Sequence, residues 1–182
     1  MGSIRGTILG PHDDYIFIKM KGIIDIEQLY ADVFQWFKNH GYETYDKDHK
    51  TKALAATGRE EEIVITGFRN EDDFIRWWIT VRFDIWDSIP VEVLKNGKQV
   101  TMYRCRLRVK LDPEMEFDYE KKWDKNAFMR GLRQFYKDTI IKRKYQVEGD
   151  KFEYEVAELQ DLIKRTIGFD SHGNQYAHNW KV

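Results

Sequence analysis

The chain of 182 residues is 42% hydrophobic, 15% aromatic and 34% charged, and its 30 Lys and Arg against 31 Asp and Glu leave a net charge of -1. This composition excludes a disordered chain and fits one folded domain with a core rich in rings. With this neutral balance, general electrostatic attraction to nucleic acid or anionic membrane is weak, although a local basic stripe stays open.

No apolar run approaches the roughly 18 residues of a membrane span, and the N-terminal stretch lacks the hydrophobic region of a secretion signal. A cytoplasmic protein with no membrane partner is therefore expected. Cys105 is the single cysteine and has no partner for an intrachain disulfide. It falls on the apolar side of a predicted strand, where a small buried hydrophobe is its simplest role.

The first predicted strand covers residues 15–21, where Ile16, Ile18 and Met20 alternate with Tyr15, Phe17, Lys19 and Lys21. Asp25 then opens a helix. Gln28 stands three positions on, in capping-box spacing, and Leu29, Val33, Trp36 and Phe37 share one face before a His40-Gly41 stop. Residues 43–59 are polar and irregular, with short strands expected near Tyr45 and over 53–57. A further strand is predicted over 62–68, with Ile63 and Ile65 on one face, followed by a turn at 70–73.

Residues 74–87 are the most informative stretch. Ile75, Trp77, Ile79, Val81, Phe83 and Ile85 form an uninterrupted apolar row at strand period, while Arg76, Trp78, Thr80, Arg82, Asp84 and Trp86 form the other face. Pro90 punctuates, and segments 91–94 and 99–111 flank Asn96-Gly97, a strong hairpin signal. The second arm repeats the two-faced pattern, with Tyr103, Cys105, Leu107, Val109 and Leu111 alternating with Arg104, Arg106, Arg108 and Lys110. Placed in one antiparallel sheet, the two apolar rows share one face, and the arginines share the other with Trp78 and Trp86.

After Pro113 the period turns helical. Asp124 can cap a helix carrying Phe128, Leu132, Phe135, Tyr136 and Ile140, which tolerates Gly131 and ends in Lys142-Arg143-Lys144, a favourable finish for the helix dipole. Gly149 and Asp150 are expected to break the chain and restart a last helix on Phe152, Val156, Leu159, Leu162 and Ile163, closed by Gly168. Residues 170–182 show no period and are expected to form a flexible or partner-docked tail.

The predicted fold is a single α+β domain over residues 1–169, an antiparallel meander sheet packed on one face by an N-terminal helix and two C-terminal helices. The element order resembles that of helix-grip proteins, which wrap a curved antiparallel sheet around a C-terminal helix and often hold apolar ligands. This resemblance rests on element order alone, and it implies a small apolar ligand between helices and sheet as one candidate partner.

Catalytic signals are sparse. His12-Asp13-Asp14 offers an imidazole and two carboxylates, but three adjacent loop residues do not converge unaided, so a solvated turn is expected. His172 and His178 lie six residues apart without cysteines or a carboxylate pair, a poor zinc spacing. Glu60, Glu61 and Glu62 read as a solubilising run. No phosphate loop, nucleophile elbow or dinucleotide fingerprint occurs, so the expectation is a non-catalytic protein with no cofactor and no metal.

The candidate binding residues are Arg76, Trp78, Arg82, Trp86, Arg104, Arg106, Arg108 and Lys110. Arginines and tryptophans are common anchors of protein interfaces, so the first expectation is a protein-interaction domain that associates with a protein partner, including a second copy of itself as a dimer. The same cations and rings suit RNA or a ribonucleoprotein, the principal alternative. The plainer reading is a water-facing sheet whose arginines pair across strands with Asp84 and Glu92. Trp36, Phe37 and the Phe128 to Ile140 stripe are expected to be core rather than pocket lining.

Overall fold

Apolar alternation along most of the chain builds one antiparallel sheet and leaves its apolar side to be covered by helices. The computed structural model describes residues 4–7, 16–55, 58–95, 97–120 and 142–168. Its strands are β1 (Ile4–Thr7), β2 (Ile16–Ile24), β3 (Glu43–Ala55), β4 (Gly58–Asn70), β5 (Ile75–Lys95) and β6 (Lys98–Phe117), with helices α1 (Ile26–Asn39) and α2 (Lys142–Thr166). The order across the sheet is β1-β6-β5-β4-β3. Strand β2 also pairs with β6, at residues 103–111, whereas β1 takes residues 114–117, so the two share the outer column.

Register puts the two apolar rows on one face. Val81 pairs with Leu111, Phe83 with Val109 and Ile85 with Leu107, and all six are buried. Both helices close this face. Phe152 of α2 stacks on Trp77 at 4.7 Å between ring centroids, and Phe37 of α1 lies over Gly67 of β4, where an added Cβ would meet the ring at 2.7 Å. Each large side chain so buried contributes roughly 1.5–3 kcal/mol. Cys105 is part of this core, and burial pushes its thiol up to about 11.

Helix α1 forms as its sequence dictates. The Asp25 carboxylate accepts from the Gln28 backbone N–H at 3.0 Å, Leu29, Val33, Trp36 and Phe37 are buried, and Gly41 takes a φ of 72° just after the His40 cap. The hairpin also stands where expected. Lys95 pairs with Lys98, and Gly97 adopts a φ of 76°, the conformation that makes glycine preferable at that turn.

Several expectations require correction. Residues 43–55 form one continuous strand, because β4 supplies a partner along its whole length and absorbs the irregularities as register shifts after Asp46 and Lys52. The strand carrying the tryptophans does not stop at Asp87 but runs to Lys95, and β6 passes through Pro113 to Phe117. Pro113 falls between the end of the β2 pairing at Leu111 and the start of the β1 pairing at Glu114, where the outer column is interrupted. This is a position that spares the ladder.

Gly149 and Asp150 do not break a helix. Helix α2 continues through them to Thr166, and so Lys142-Arg143-Lys144 is not a last turn. The cost of one glycine, about 1 kcal/mol, is outweighed by the buried stripe of Phe152, Val156, Leu159 and Ile163. Gly168, with a φ of 73°, follows its end as expected. The described residues hold two helices rather than three. The predicted helix from Asp124 to Ile140, His12-Asp13-Asp14 and the 170–182 tail lie outside them.

Among the described residues no helix is long and apolar enough to cross a membrane.

Candidate functional site

The second sheet face carries all eight candidate residues, and register divides them between two environments. Across β4, β5 and β6, one row reads Asn70, Arg76, Glu116 and the next Phe68, Trp78, Glu114. Here the side chains pack on one another. Trp78 Nε1 donates to Glu116 Oε2 at 2.7 Å, and Glu116 is only 7% exposed. The Trp78 ring lies 5.1 Å from Phe68, which in turn stacks on Tyr45. Arg76 donates to Asn70 Oδ1 at 2.7 Å and holds its guanidinium 4.2 Å from the centre of the Tyr119 ring and 4.7 Å from that of Phe68. Arg76 and Trp78 thus belong to a consolidated aromatic and polar cluster.

The other end of the face is the more exposed among the described residues. Arg82 pairs with Lys110 and Phe17, Asp84 with Arg108 and Lys19, Trp86 with Arg106 and Lys21, and Ile89 with Arg104 and Ile23, each row running from β5 through β6 to β2. Some of these cations are internally matched. Both Nε and Nη2 of Arg108 donate to the buried Asp84 carboxylate, at 2.8 and 2.7 Å, while its guanidinium sits 5.1 Å from the centre of the Trp86 ring. Arg106 reaches Asp87 at 2.6 Å, and Arg82 reaches Glu62 at 3.5 Å. Lys19, Lys21 and Arg104 are exposed and form no ion pair among the described residues. Phe17 is 48% exposed, Ile23 49% and Ile89 40%.

A β-bulge shapes this end. Trp86 pairs with Arg106 but Ile89 with Arg104, so Asp87 and Ser88 together stand opposite Cys105, and Asp87 takes a φ of 53° that aspartate tolerates better than most residues. The extra residue inverts which side chains face which way. Ile89 therefore joins the basic face, while Glu92 turns to the apolar side and accepts from Thr101 at 3.0 Å. Pairing of the arginines with Asp84 is as expected; pairing with Glu92 is not, because the bulge separates them.

Two features of this face escaped the sequence reading. Lys19, Lys21, Phe17 and Ile23 alternate visibly in the chain, yet only the β2–β6 pairing brings them to the arginines. The charge of β6 also reverses along its length, from Arg104, Arg106, Arg108 and Lys110 to Asp112, Glu114 and Glu116 on the same face. The acidic part lies at the consolidated end. Asp112 is half-buried, and burial raises its carboxyl pKa despite the nearby Lys110 and Arg82.

A separate polar cluster ties the helices to the sheet edge. Tyr42 donates to Glu155 Oε2 at 3.0 Å, and Arg69 donates to Glu155 Oε1 at 2.8 Å and to the His40 carbonyl at 2.7 Å. The Arg69 guanidinium lies between the rings of Tyr42 and Trp77, 4.9 and 4.7 Å from their centres. Burial, joined by the Glu155 charge, raises the Tyr42 phenol far above its usual range, so it remains a donor. Burial works against the Arg69 charge, but the hydrogen bond to Glu155 and the surrounding groups raise it. Tyr42, Arg69 and Glu155 each have a hydrogen-bond partner in the cluster, which clamps α2 to the start of β3 and the end of β4.

No group of three or more His, Cys, Asp or Glu that could hold a metal ion occurs among the described residues. What the described residues define is an α+β arrangement, an antiparallel sheet with helices over its apolar face and a second face that is basic at one end. Comparison with family models, with curated proteins and with solved structures finds no match to this chain.

Proposed function

We propose that the chain is a non-catalytic interaction domain that binds an anionic partner through the open end of the sheet, built from β2, β6 and β5. The observation that carries this reading is the convergence of Lys19, Lys21 and Arg104, exposed and without an ion pair among the described residues, with the partly matched Arg106, Arg108 and Arg82 on one face of a chain whose net charge is -1. Local basicity on a neutral protein marks a place rather than a general stickiness.

The charge pattern also favours a different partner over a second copy. A two-fold contact presents the same patch from both subunits, so these cations would meet one another, and like charges brought together are destabilising. The compensating acids Asp84 and Glu116 are buried and already hydrogen-bonded. An acidic partner meets no such opposition.

The test uses Lys21→Glu with Arg104→Glu. Among the described residues neither carries an ion pair whose loss would disturb the fold. The reading expects wild type to be retained on immobilised heparin, with elution at distinctly lower salt for the double variant and unchanged sedimentation as a monomer for both. Equal elution of the two proteins, or flow-through of wild type, would overturn it.

A further inference from the structure

We infer that the anionic partner is a single-stranded nucleic acid segment, an inference that rests on the proposed anionic-partner reading and adds to it the chemistry of the occupant. An acidic protein surface would need cations alone. This face pairs its cations with rings. The row Trp86, Arg106, Lys21 begins on an indole, and the row Arg82, Lys110, Phe17 ends on an exposed phenyl ring, so aromatic groups stand on opposite sides of the basic column of β6. Between them Arg108 is fixed by Asp84 with its guanidinium over Trp86, a planar cation already oriented for stacking. Rings and guanidinium planes accept unstacked bases of any sequence, while neighbouring cations take the phosphates.

The dimensions suit a short extended strand. Residues on one face of a strand recur every ~6.6 Å, so Arg104 to Lys110 spans about 20 Å along β6. That length fits the low end of the roughly 4–16 nucleotides bound by sheet-based single-strand modules. A duplex buries its base faces in its own stack and offers none of them to the Arg108 plane and the Trp86 ring beneath it. The asymmetry between strand forms is thus a direct consequence of the arrangement.

The experiment measures fluorescence anisotropy of a labelled 12-nucleotide oligouridylate, the same length of RNA duplex, a polyglutamate peptide and phosphatidylserine vesicles, across a salt series. Single-strand binding is expected to exceed duplex binding at least tenfold. With Lys19, Lys21, Arg104 and Arg106 on phosphates, log K should fall against log salt with a slope near -2.8, at about -0.7 per contact. Trp86→Leu, which keeps apolar bulk, and Phe17→Ser, at a half-exposed position, should each weaken single-strand binding about tenfold while weakening heparin retention much less, in protein shown to be folded by circular dichroism. Equal affinity for single strand and duplex together with harmless ring variants would overturn this inference while the anionic-partner reading stands. Preference for polyglutamate or for vesicles would do the same. Loss of all polyanion binding would remove both.

Discussion

Replacing Glu155 by alanine tests how the helices are fastened to the sheet. The carboxylate accepts from Tyr42 and Arg69 at 3.0 and 2.8 Å, and removal leaves a phenol and a guanidinium without their shared acceptor. Breaking a fully buried pair in this way costs about 3–5 kcal/mol. The side chains of Arg69 and Glu155 are 21% and 23% exposed, and Arg69 keeps the His40 carbonyl and Glu71, so water and the remaining acceptors recover part of the loss. A destabilisation of about 2–3 kcal/mol follows. For a chain of this size that corresponds to a fall in Tm of roughly 4–12 °C. Differential scanning calorimetry or urea unfolding measures it, with Glu71→Ala as the control expected to cost under about 1 kcal/mol. A double-mutant cycle with Tyr42→Phe should show coupling of about 0.5–3 kcal/mol, as residues in one hydrogen-bonded network do. If Glu155→Ala melts no lower than Glu71→Ala, the clamp does not hold the helices and the reasoning fails.

Further expectations concern single positions. Gly67→Ala places a Cβ 2.7 Å from the Phe37 ring and should destabilise by about 1–3 kcal/mol through displaced packing, measured by chemical unfolding; Gly67→Ala with Phe37→Leu should recover part of it. The raised carboxyl pKa of Asp112 means that the folded state holds its proton more tightly than the unfolded chain does. Its contribution therefore favours folding below the ordinary aspartate range and is lost as pH rises through its raised folded value. Asp112→Asn should remove this dependence, leave stability at pH 7 equal or higher, and tighten polyanion binding by taking a negative charge from beside Lys110 and Arg82. Unfolding curves from pH 3 to 7 check the first effect and heparin elution the second.

Helix α1 could be read directly because each of its determinants is local: the Asp25 cap, the stripe from Leu29 to Phe37 and the Gly41 exit lie within seventeen residues of sequence. The facing of β5 and β6 was equally open to reading, since alternation survives any choice of neighbour. The bulge at Asp87 and Ser88 was not, because one inserted residue leaves no mark on composition and yet reverses Glu92 and Ile89. Residues 43–55 are polar and carry no alternation of their own, so their strand is imposed by β4 across a hairpin. At Gly149 the local preference for a break lost to the continuing apolar stripe. The basic face was found by half, as its β6 and β5 members share a hairpin while Lys19 and Lys21 arrive from a strand some eighty residues away. The Arg69 to Glu155 pair spans 86 residues and had no local signal at all.

The most direct test of the proposed anionic-partner site is a lysine footprint by limited acetylation and mass spectrometry, with and without bound oligouridylate or heparin. Lys19 and Lys21 should become protected. Lys151, which lies on α2 with its side chain 58% exposed, should keep its reactivity. Protection centred on α2, or spread evenly over the surface lysines while Lys19 and Lys21 remain reactive, would contradict the assignment of the open β2–β6–β5 face as the binding surface.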